Sequence, residues 1–568
     1  MKRFWVEQCN AFLEIFRDKR QFVLFAVLLL FILLNSLKIS IFNLILTDNK
    51  ASVIAQFKIT YTFLMLIIII NVFFILKSKA LFLLLYLLQT IYILVNISYY
   101  MYFHSYLHIM QFIMLFNEGF AAANQNAAPI NLKMLITLID LPGFILVYRN
   151  FYNIIDFRKS KRSLTIIVTC LSLVLLVGIE INSYYNEWSM IHLVKSRYNG
   201  EKPIVERYGT IANNALGIYL NRNEKVIVDK LKYGEVQTGN ANGKDKPNFV
   251  LIQVEAMDSN IIDKKYNGHY ITPFLNSLKD SSVYYPYVLS EHMGGGTSDI
   301  EFSVINSIEP LEGYAAQKLS NYNYPNSFIK ILRKNNYSAI GFHGNKGSFF
   351  NRNVSFPKMG FERLVDMDDM GLKDVGWGAP DEDVLNYAFQ HFSNMKTPFI
   401  SYIITMTSHG PFTNAGNYYQ NKAFEGVENI NIKNYFNSMS YVDKVLEDFV
   451  TKIKSRFKNT YIFIYGDHTP SIRDKEYMQA SFDYDGKYFE FVPLFIITPD
   501  GMKYTEKSRV ASMLDFSPTL LRLSGVEFKI KSDGVNLLDF KSEWKGIEYK
   551  NDVYKRDFLY QKANDSKG

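Results

Sequence analysis

The stretch FVLIQVE, Phe249 to Glu255, decides the fold of the second half of the chain, because a run suited to a buried strand ends directly on a carboxylate. Patterns with helical periodicity, near residues 326–336 and 434–453, separate further runs of the same kind. Those runs are SAIGF (Ser338–Phe342), FISYIIT (Phe399–Thr405), YIFIY (Tyr461–Tyr465) and PLFIIT (Pro493–Thr498). Continuous apolar strands that alternate with helices are typical of a parallel sheet covered on both faces. The sequence therefore predicts an α/β domain with a mainly parallel central sheet.

Polar residues stand at the ends of four of these predicted strands. Glu255, His343, His409 and the pair Asp467 and His468 follow their strands at once or within a few residues. Ligands of open α/β sheets bind outside the carboxyl ends of the strands. Each residue alone has an ordinary explanation, a solvated loop acid or a structural histidine. Their shared position predicts a site at this edge of the sheet.

The segment HMGGGTSDIEF, residues 292–302, adds a glycine-rich loop before a helix that we expect to begin near Ser298. Glycines let the backbone approach a phosphate closely, and a helix N-terminus offers free N–H groups to an anion. A simple turn capped by Thr297 or Ser298 is the alternative. A hydroxyl at this place needs a base or a metal to become a nucleophile.

A divalent cation is the activator that the neighbouring residues predict. Glu255, Asp467 and His468 can supply ligands for it. Three oxygens, including Thr297 Oγ, and one imidazole suit Mn²⁺, with Mg²⁺ and Zn²⁺ as alternatives.

The first third of the chain is apolar and predicts five membrane spans, since about 20 apolar residues in a helix cross the hydrocarbon core. The predicted spans are about 22–41, 59–76, 80–97, 134–148 and 164–181. Lys38 lies near the end of the first span, where we expect its long side chain to carry the ammonium group outward. The fourth span is short and contains Asp140 and Pro142. Because an ionisable residue at that depth is costly without a partner, a re-entrant segment is the alternative there.

The distribution of Lys and Arg predicts the orientation, since cytoplasmic loops carry the excess of these residues. The N-terminus and the loops after the second and fourth spans hold twelve of them, whereas the other two connections hold four. This split places the N-terminus inside and everything after residue 181 outside the cytoplasm. A cleaved signal peptide at the first span is disfavoured by the four spans behind it.

Composition argues against a disulfide-stapled exported domain and against a nucleic-acid-binding protein. The chain has 568 residues and only two cysteines, Cys9 and Cys170, so no intrachain disulfide forms after residue 170. The net charge of +8 does not predict nucleic-acid binding, because the basic clusters flank the apolar segments.

We predict a transmembrane domain at 1–181, a juxtamembrane connector at 182–247, an extracellular catalytic domain at 248–545 and a C-terminal tail at 546–568.

The combined motifs resemble the lipoteichoic acid synthase family of phosphoglycerol transferases, in the alkaline phosphatase and sulfatase superfamily. The resemblance rests on Glu255 after the first strand, GGGTSD at Thr297, FHGNKGSFFNR at 342–352, TSHGPF at His409 and GDHTP at Asp467 and His468, behind five spans. It implies a metal bound by the residues Glu255, Thr297, Asp467 and His468, with Thr297 as nucleophile. It also implies substrate contacts from His343, Arg352 and His409. Phe350 stands where the family usually has Trp, which removes an indole N–H donor and affects acceptor preference.

The resemblance implies a multi-pass bacterial membrane enzyme that transfers glycerophosphate. The donor would be phosphatidylglycerol, and the acceptor a glycerophosphate chain or its glycolipid anchor. A phosphoethanolamine transferase acting on lipid A or a surface glycan is the nearest alternative, although such exported domains are commonly disulfide-bonded. A sulfatase is disfavoured because GGGTSD does not match the C/S-x-P-x-R pattern. A catalytically silent receptor on the same fold is the alternative outside enzymes.

Overall fold

The computed structural model describes most of the chain, and its described residues fall into two compact units that divide near residue 222. The described residues are 6, 10, 13–47, 52–75, 77–103, 109–114, 132–185, 189, 201–220, 227–243, 245–293, 295–311, 314–319 and 321–566. Some predictions fall on residues outside these ranges: Cys9, Gly294 of the glycine-rich loop and parts of the connector lie there. So do Lys2, Arg3 and Lys50, which were counted among the Lys and Arg residues that predict the orientation.

Helices make up the described part of the first unit. They are α1 (Lys19–Thr47), α2 (Ser52–Ile75), α3 (Lys79–Phe103), α4 (Ile109–Met114), α5 (Leu141–Arg149), α6 (Phe151–Ser160), α7 (Arg162–Tyr185), α8 (Glu201–Tyr208) and α9 (Thr210–Leu220). A 3₁₀ helix, Leu132–Leu138, precedes α5. Each predicted span overlaps helical residues, and the fourth is interrupted by a turn at residues 139–140.

The predicted count of five spans is higher than the structure supports. Among the described residues, three helical segments are long and apolar enough to cross a membrane: Lys19–Leu46, Lys79–Ser98 and Thr165–Tyr185. The second predicted span lies on α2, whose described apolar part is the shorter segment Lys58–Asn71. The fourth falls on a helix pair bent by 72°, which adds one span if the pair counts as one. The bend lies at Asn150, between α5 and α6, whereas Pro142 sits in the first turn of α5, where a helix accepts it.

A buried ion pair joins α1 to the residue before α5. Lys38 Nζ lies 3.1 Å from Asp140 Oδ1, and both side chains are fully buried. Asp140 also accepts hydrogen bonds from Tyr86 Oη at 3.1 Å and from Asn35 Nδ2 at 2.6 Å. The expectation that Lys38 extends outward is therefore wrong, because its ammonium group is held inside the unit by the carboxylate of Asp140.

Residues expected to form an irregular connector include two helices, α8 and α9. Val205 and Tyr208 of α8 are fully buried within the first unit. At the start of α9, the backbone N–H and the hydroxyl of Thr210 both donate to Asn43 Oδ1, at 3.0 and 2.7 Å. This part of the predicted connector is thus helical and packed within the first unit rather than irregular.

The second unit is built on a large mixed sheet. Its strands are β2 (Asn248–Val254), β5 (Val283–Leu289), β6 (Ser338–His343), β7 (Arg363–Val365), β8 (Phe399–Ile404), β9 (Thr460–Gly466), β10 (Ser481–Tyr484), β11 (Lys487–Ile497), β12 (Tyr504–Thr505) and β13 (Ala511–Ser512). The order is β12-β5-β11-β9-β2-β8-β6-β7, with β10 on β11 and β13 on β5. Three two-stranded sheets pair β1 (Val236–Gly239) with β14 (Phe528–Lys531), β3 (Lys265–Tyr266) with β4 (His269–Tyr270), and β15 (Ile547–Tyr549) with β16 (Asp552–Tyr554).

The sheet confirms the predicted fold class and refines it. The pairs β9–β2, β2–β8, β8–β6 and β6–β7 are parallel, as expected from fully buried apolar strands. The predicted strand 493–498 is instead the end of β11, which runs antiparallel to both β9 and β5. Helices cover the sheet and bury an apolar core on each face. They are α10 (Pro273–Leu278), α11 (Thr297–Asn306), α12 (Phe328–Lys334), α13 (Arg352–Met359), α14 (Asp381–Phe392), α15 (Ile430–Arg456), α16 (Phe516–Ser524) and α17 (Arg556–Asp565).

Residues predicted as a C-terminal tail contribute to the second unit. The β15–β16 hairpin and α17 pack into an apolar cluster with residues of β5 and β11. Arg556 at the start of α17 is buried and donates to Asp515 Oδ2 at 2.7 Å. The segment is therefore an ordered part of the domain.

Removing one partner of the Lys38–Asp140 pair should destabilise the first unit. The change Asp140→Ala leaves the ammonium group buried without its counter-ion, and losing one partner of a buried pair costs about 3–5 kcal/mol. We expect a lower yield of monodisperse protein and a lower melting temperature in detergent, measured by size-exclusion chromatography after heating. The double change Lys38→Met with Asp140→Leu should recover most of the loss, since apolar replacement of a whole buried pair is often neutral. An Asp140→Ala protein as stable as the parent would contradict the assigned pairing.

Candidate active site

The ends of the parallel strands bring the predicted polar residues to one edge of the sheet. Glu255 follows β2, Asp467 and His468 follow β9, and His343 is the last residue of β6. These strands run in the same direction, so their carboxyl ends coincide. The strand β5 is antiparallel to β11, which is antiparallel to β9, so the loop after β5 leads to Thr297 at this same edge.

Glu255, Asp467 and His468 form a compact group that fits a metal ion. One ligand atom from each lies within 4.8 Å of the others, and all three residues are buried. His468 Nε2 is 3.2 Å from Glu255 Oε1 and 3.6 Å from Asp467 Oδ2. Asp467 Oδ2 is buried and has no hydrogen-bond donor among the residues that the structure describes. A buried carboxylate oxygen in that state is costly unless a cation or a proton meets it, so the donor set is suited to a divalent cation.

Backbone contacts hold the other oxygen of Asp467. Its Oδ1 accepts hydrogen bonds from the N–H groups of Ala256 at 2.8 Å and His468 at 2.7 Å. The N–H of Glu255 in turn donates to Thr405 Oγ1 at 3.0 Å. The two acids are thus fixed by the chain segments that directly follow β2, β8 and β9.

Burial and mutual charge shift the pKa values of this group in opposite directions. Burial, together with the charge of Glu255, raises the pKa of Asp467 well above its usual range. Burial opposes ionisation of Glu255 as well, but the charges of His409 and His468 outweigh it and lower the pKa of Glu255. The pKa of His468 is well above its usual range, because the charges of Asp467 and Glu255 outweigh the opposing effect of burial. The site is therefore a strongly coupled acid–imidazole cluster.

Thr297 lies beside this cluster at the N-terminus of α11. Its hydroxyl donates to Glu255 Oε2 at 3.2 Å. Gly296 before it has φ +56° and ψ −140°, a conformation that favours glycine and turns the chain into the helix. The neighbouring Ser298 points elsewhere, since its hydroxyl donates to the carbonyl oxygen of Gly295 at 2.6 Å. Of the two adjacent hydroxyls, the one on Thr297 faces the acidic cluster.

Arg352 is held by a residue that the sequence analysis did not single out, Glu301. Arg352 Nε lies 2.9 Å from Glu301 Oε1, and its Nη2 lies 2.6 Å from the same oxygen. The remaining nitrogen, Nη1, is 3.3 Å from His343 Nε2, so two predicted substrate residues are in contact. Burial and the charge of Arg352 lower the pKa of His343 well below its usual range. Glu301 stands four residues after Thr297 on α11, inside the glycine-rich motif quoted above.

The other two predicted substrate residues border the site with aromatic rings. Phe350 has a positive φ of 52°, and the guanidinium carbon of Arg352 lies 5.2 Å from its ring centre. His409 stacks on Trp377, with ring centres 4.4 Å apart and planes 25° apart. Burial lowers the pKa of His409. Trp377 was missed because it lies in a loop without a strand or motif beside it, and its packing on His409 depends on the fold.

Truncating Glu301 should destabilise the second unit, because it leaves the Arg352 guanidinium buried without its counter-ion. Loss of one partner from such a pair costs about 3–5 kcal/mol. We expect Glu301→Ala to lower the midpoint of denaturant unfolding, followed by tryptophan fluorescence of the full-length protein in detergent. The control is Glu235→Ala, which removes an exposed carboxylate paired with Lys545 and should leave the midpoint almost unchanged. Equal, small effects of both changes would show that the Glu301–Arg352 contact does not support the site.

Known proteins resemble both parts of this architecture. Residues 247–526 match the sulfatase family. The lipoteichoic acid synthase-like YvgJ of Bacillus subtilis is 29% identical over 317 residues, which cover 53% of this chain and 50% of that protein. The lipoteichoic acid synthase of Staphylococcus aureus is 29% identical over 303 residues, 50% of this chain and 46% of its own length. The chain thus spans about half the length of the curated relatives it matches.

A solved structure extends the likeness to the apolar helices. The integral membrane protein lipooligosaccharide phosphoethanolamine transferase A of Neisseria meningitidis superposes with a TM-score of 0.55. The match covers 87% of this chain and 95% of that one at 15% identity, so it concerns the fold alone. These matches confirm the resemblance inferred from the motifs: residues 247–526 match the sulfatase family, and the two curated relatives are named lipoteichoic acid synthase-like and lipoteichoic acid synthase.

Proposed function

We propose that the protein is a membrane-anchored phosphoglycerol transferase. It would take glycerophosphate from phosphatidylglycerol onto Thr297 and pass it to a hydroxyl of a glycerophosphate polymer of the lipoteichoic acid type, or of a related glycan or glycolipid. The observation that carries the proposal is the Thr297 hydroxyl, 3.2 Å from Glu255 within the acidic cluster. The names of the curated relatives support the substrate class.

The chemistry consists of two displacements at one phosphorus atom. In the first, Thr297 Oγ bonds to phosphorus while the bond from phosphorus to the diacylglycerol oxygen breaks. Diacylglycerol leaves with the proton that the Thr297 hydroxyl gives up. In the second, an acceptor hydroxyl bonds to the same phosphorus, the bond to Thr297 breaks, and the acceptor proton returns to Thr297 Oγ. Dividing the transfer in this way replaces one difficult step by two easier ones.

The neighbouring residues would support both displacements. A divalent cation would supply Lewis-acid stabilisation of the phosphoryl oxygens. It would be held by Glu255, Thr297, Asp467 and His468, and Mn²⁺ is preferred over Mg²⁺ or Zn²⁺.

Four residues would bind the substrate: His343, Phe350, Arg352 and His409. Glu301 fixes two nitrogens of Arg352, so the guanidinium group is preorganised before substrate arrives. Preorganised charge of this kind stabilises a phosphoryl-transfer transition state without reorganisation.

Phosphoethanolamine transfer is the second candidate. The likeness to the Neisseria enzyme concerns the fold and does not favour one headgroup. The sequence argues against this candidate, because no cysteine follows Cys170 and the second unit contains no intrachain disulfide. A labelled donor distinguishes the two candidates directly.

We propose that the second unit lies outside the cytoplasm, at the surface where lipid headgroups are presented. The split of twelve to four in Lys and Arg supports this orientation. Lys38 and Lys58 are two of the four basic residues counted in the predicted outer connections, and both are buried within the first unit, so they do not charge an outer loop. Protease added to intact cells without a wall should digest the second unit. Digestion only after the membrane is breached would contradict the orientation.

Thr297, rather than Ser298, should carry the transferred group. Removing an attacking group costs orders of magnitude in rate, so Thr297→Ala should be inactive with headgroup-labelled phosphatidylglycerol while it still folds and reaches the membrane. Ser298→Ala is the matched control and should retain much of its turnover, since the Ser298 hydroxyl caps the Gly295 carbonyl group.

Mass spectrometry of protein incubated with donor and no acceptor provides the second measurement. The peptide that contains Thr297 should gain one glycerophosphoryl group. An adduct on Ser298, or turnover at the parent rate by Thr297→Ala, would contradict the assignment. An ethanolamine phosphate adduct from phosphatidylethanolamine would keep the mechanism and change the substrate to the second candidate.

A further inference from the structure

Glu490 is a buried carboxylate that contacts two segments of the site. It lies in β11, is 4% exposed, and belongs to none of the motifs found in the sequence. Its Oε1 is 3.0 Å from Nδ1 of His292. Its Oε2 accepts hydrogen bonds from Thr469, at 3.0 Å from the backbone N–H and at 2.6 Å from the hydroxyl. Both oxygens therefore point toward residues that neighbour the proposed metal ligands.

The contact with Thr469 bears on the orientation of His468. The Nδ1 atom of His468 is 2.9 Å from the carbonyl oxygen of Thr469, the residue that Glu490 binds. Because a carbonyl oxygen can only accept, this contact places a proton on Nδ1 and leaves Nε2 to face Glu255, 3.2 Å away. The tautomer suited to metal binding through Nε2 is thus set by Thr469, which Glu490 holds at two points.

Glu490 also reaches His468 through His292, because the ring of His292 packs on the face of the His468 imidazole. The rings of His292 and His468 are stacked, with centres 4.4 Å apart and planes 17° apart. His292 also begins the glycine-rich loop, whose Gly296 N–H donates to the carbonyl oxygen of Met293 at 3.2 Å. Glu490 therefore connects the ring that packs on His468 with the loop that ends at Thr297.

We propose that Glu490 is a positioning residue for the metal centre, which fixes His468 through Thr469 and through the ring of His292. Its hydrogen bonds go to His292 and Thr469 and to none of the proposed ligand side chains, so it orients His468 through these two neighbours. Outer hydrogen-bond partners of ligand imidazoles orient them, and their loss commonly lowers metal affinity about 10–100-fold. The proposal rests on the proposed metal centre and adds a residue outside the ligand set.

The test is the affinity of the full-length protein in detergent for Mn²⁺, measured by the electron paramagnetic resonance signal of the free ion. Glu490→Gln keeps the size of the side chain and removes its charge, and we expect its Kd for Mn²⁺ to rise about 10–100-fold. His292→Phe keeps a flat ring against His468 and loses the contact with Glu490. Its affinity should also fall, but less, because the contact with Thr469 remains.

Glu506→Gln is the matched control, since Glu506 is a buried glutamate that binds Ser508 and Arg509 instead of site residues. It should bind Mn²⁺ with the parent Kd. The melting temperature without metal should be similar in Glu490→Gln and Glu506→Gln, which separates metal positioning from general stability. If Glu490→Gln fails to fold, His292→Phe still decides the matter.

These measurements distinguish a failure of the positioning role from a failure of the metal centre. Parent affinity in Glu490→Gln, or in His292→Phe, would overturn the positioning role while leaving the metal centre intact. A parent protein that binds no Mn²⁺ would instead remove the proposed metal centre and the inference that rests on it. Glycerophosphate transfer is measured separately with labelled phosphatidylglycerol, so a failure of the proposed substrate would not be confused with either result.

Discussion

The register of the two central parallel strands fixes the site, because Val254 of β2 pairs with Gly466 of β9. The next residue on each strand is an acid, so Glu255 and Asp467 leave the sheet side by side. Gly466 tolerates no side chain, since a Cβ there would lie 1.9 Å from the carbonyl oxygen of Met257. The two acids are therefore close because the backbones of their strands pair. The imidazole of His468 and the hydroxyl of Thr297 lie around these two acids.

This arrangement concentrates negative charge where water cannot solvate it. Two buried carboxylates disfavour each other's ionisation, and an adjacent imidazolium relieves only part of that cost. Asp467 keeps one oxygen without a donor among the described residues, which is the feature expected of a centre that takes up a cation. The Arg352–Glu301 pair differs, because its opposite charges already neutralise each other. Two guanidinium nitrogens of Arg352 contact the carboxylate of Glu301. The first group is suited to bind a cation, and the second holds the Arg352 guanidinium group in place.

The sequence predicted the elements whose signals are local. Parallel strands buried on both faces read as continuous apolar runs, and the acids at their ends stood out for that reason. The strand β5 was missed because Pro286 interrupts its pattern, and a proline is expected at an edge or a bulge. Contacts between distant parts of the chain gave no signal, as with Glu301 and Arg352, 51 residues apart. Lys38 and Asp140, 102 residues apart, each looked like an isolated charge in an apolar segment, and only packing paired them.

The position of a bound metal ion tests the account most directly. Anomalous scattering at the manganese edge, from crystals of the protein grown with Mn²⁺, locates the ion without any assumption about activity. The account predicts one peak in direct contact with Glu255, Thr297, Asp467 and His468. A structure with Mn²⁺ present and no peak among these residues, or with the ion bound elsewhere and Thr297 outside its ligand shell, would contradict the proposed centre.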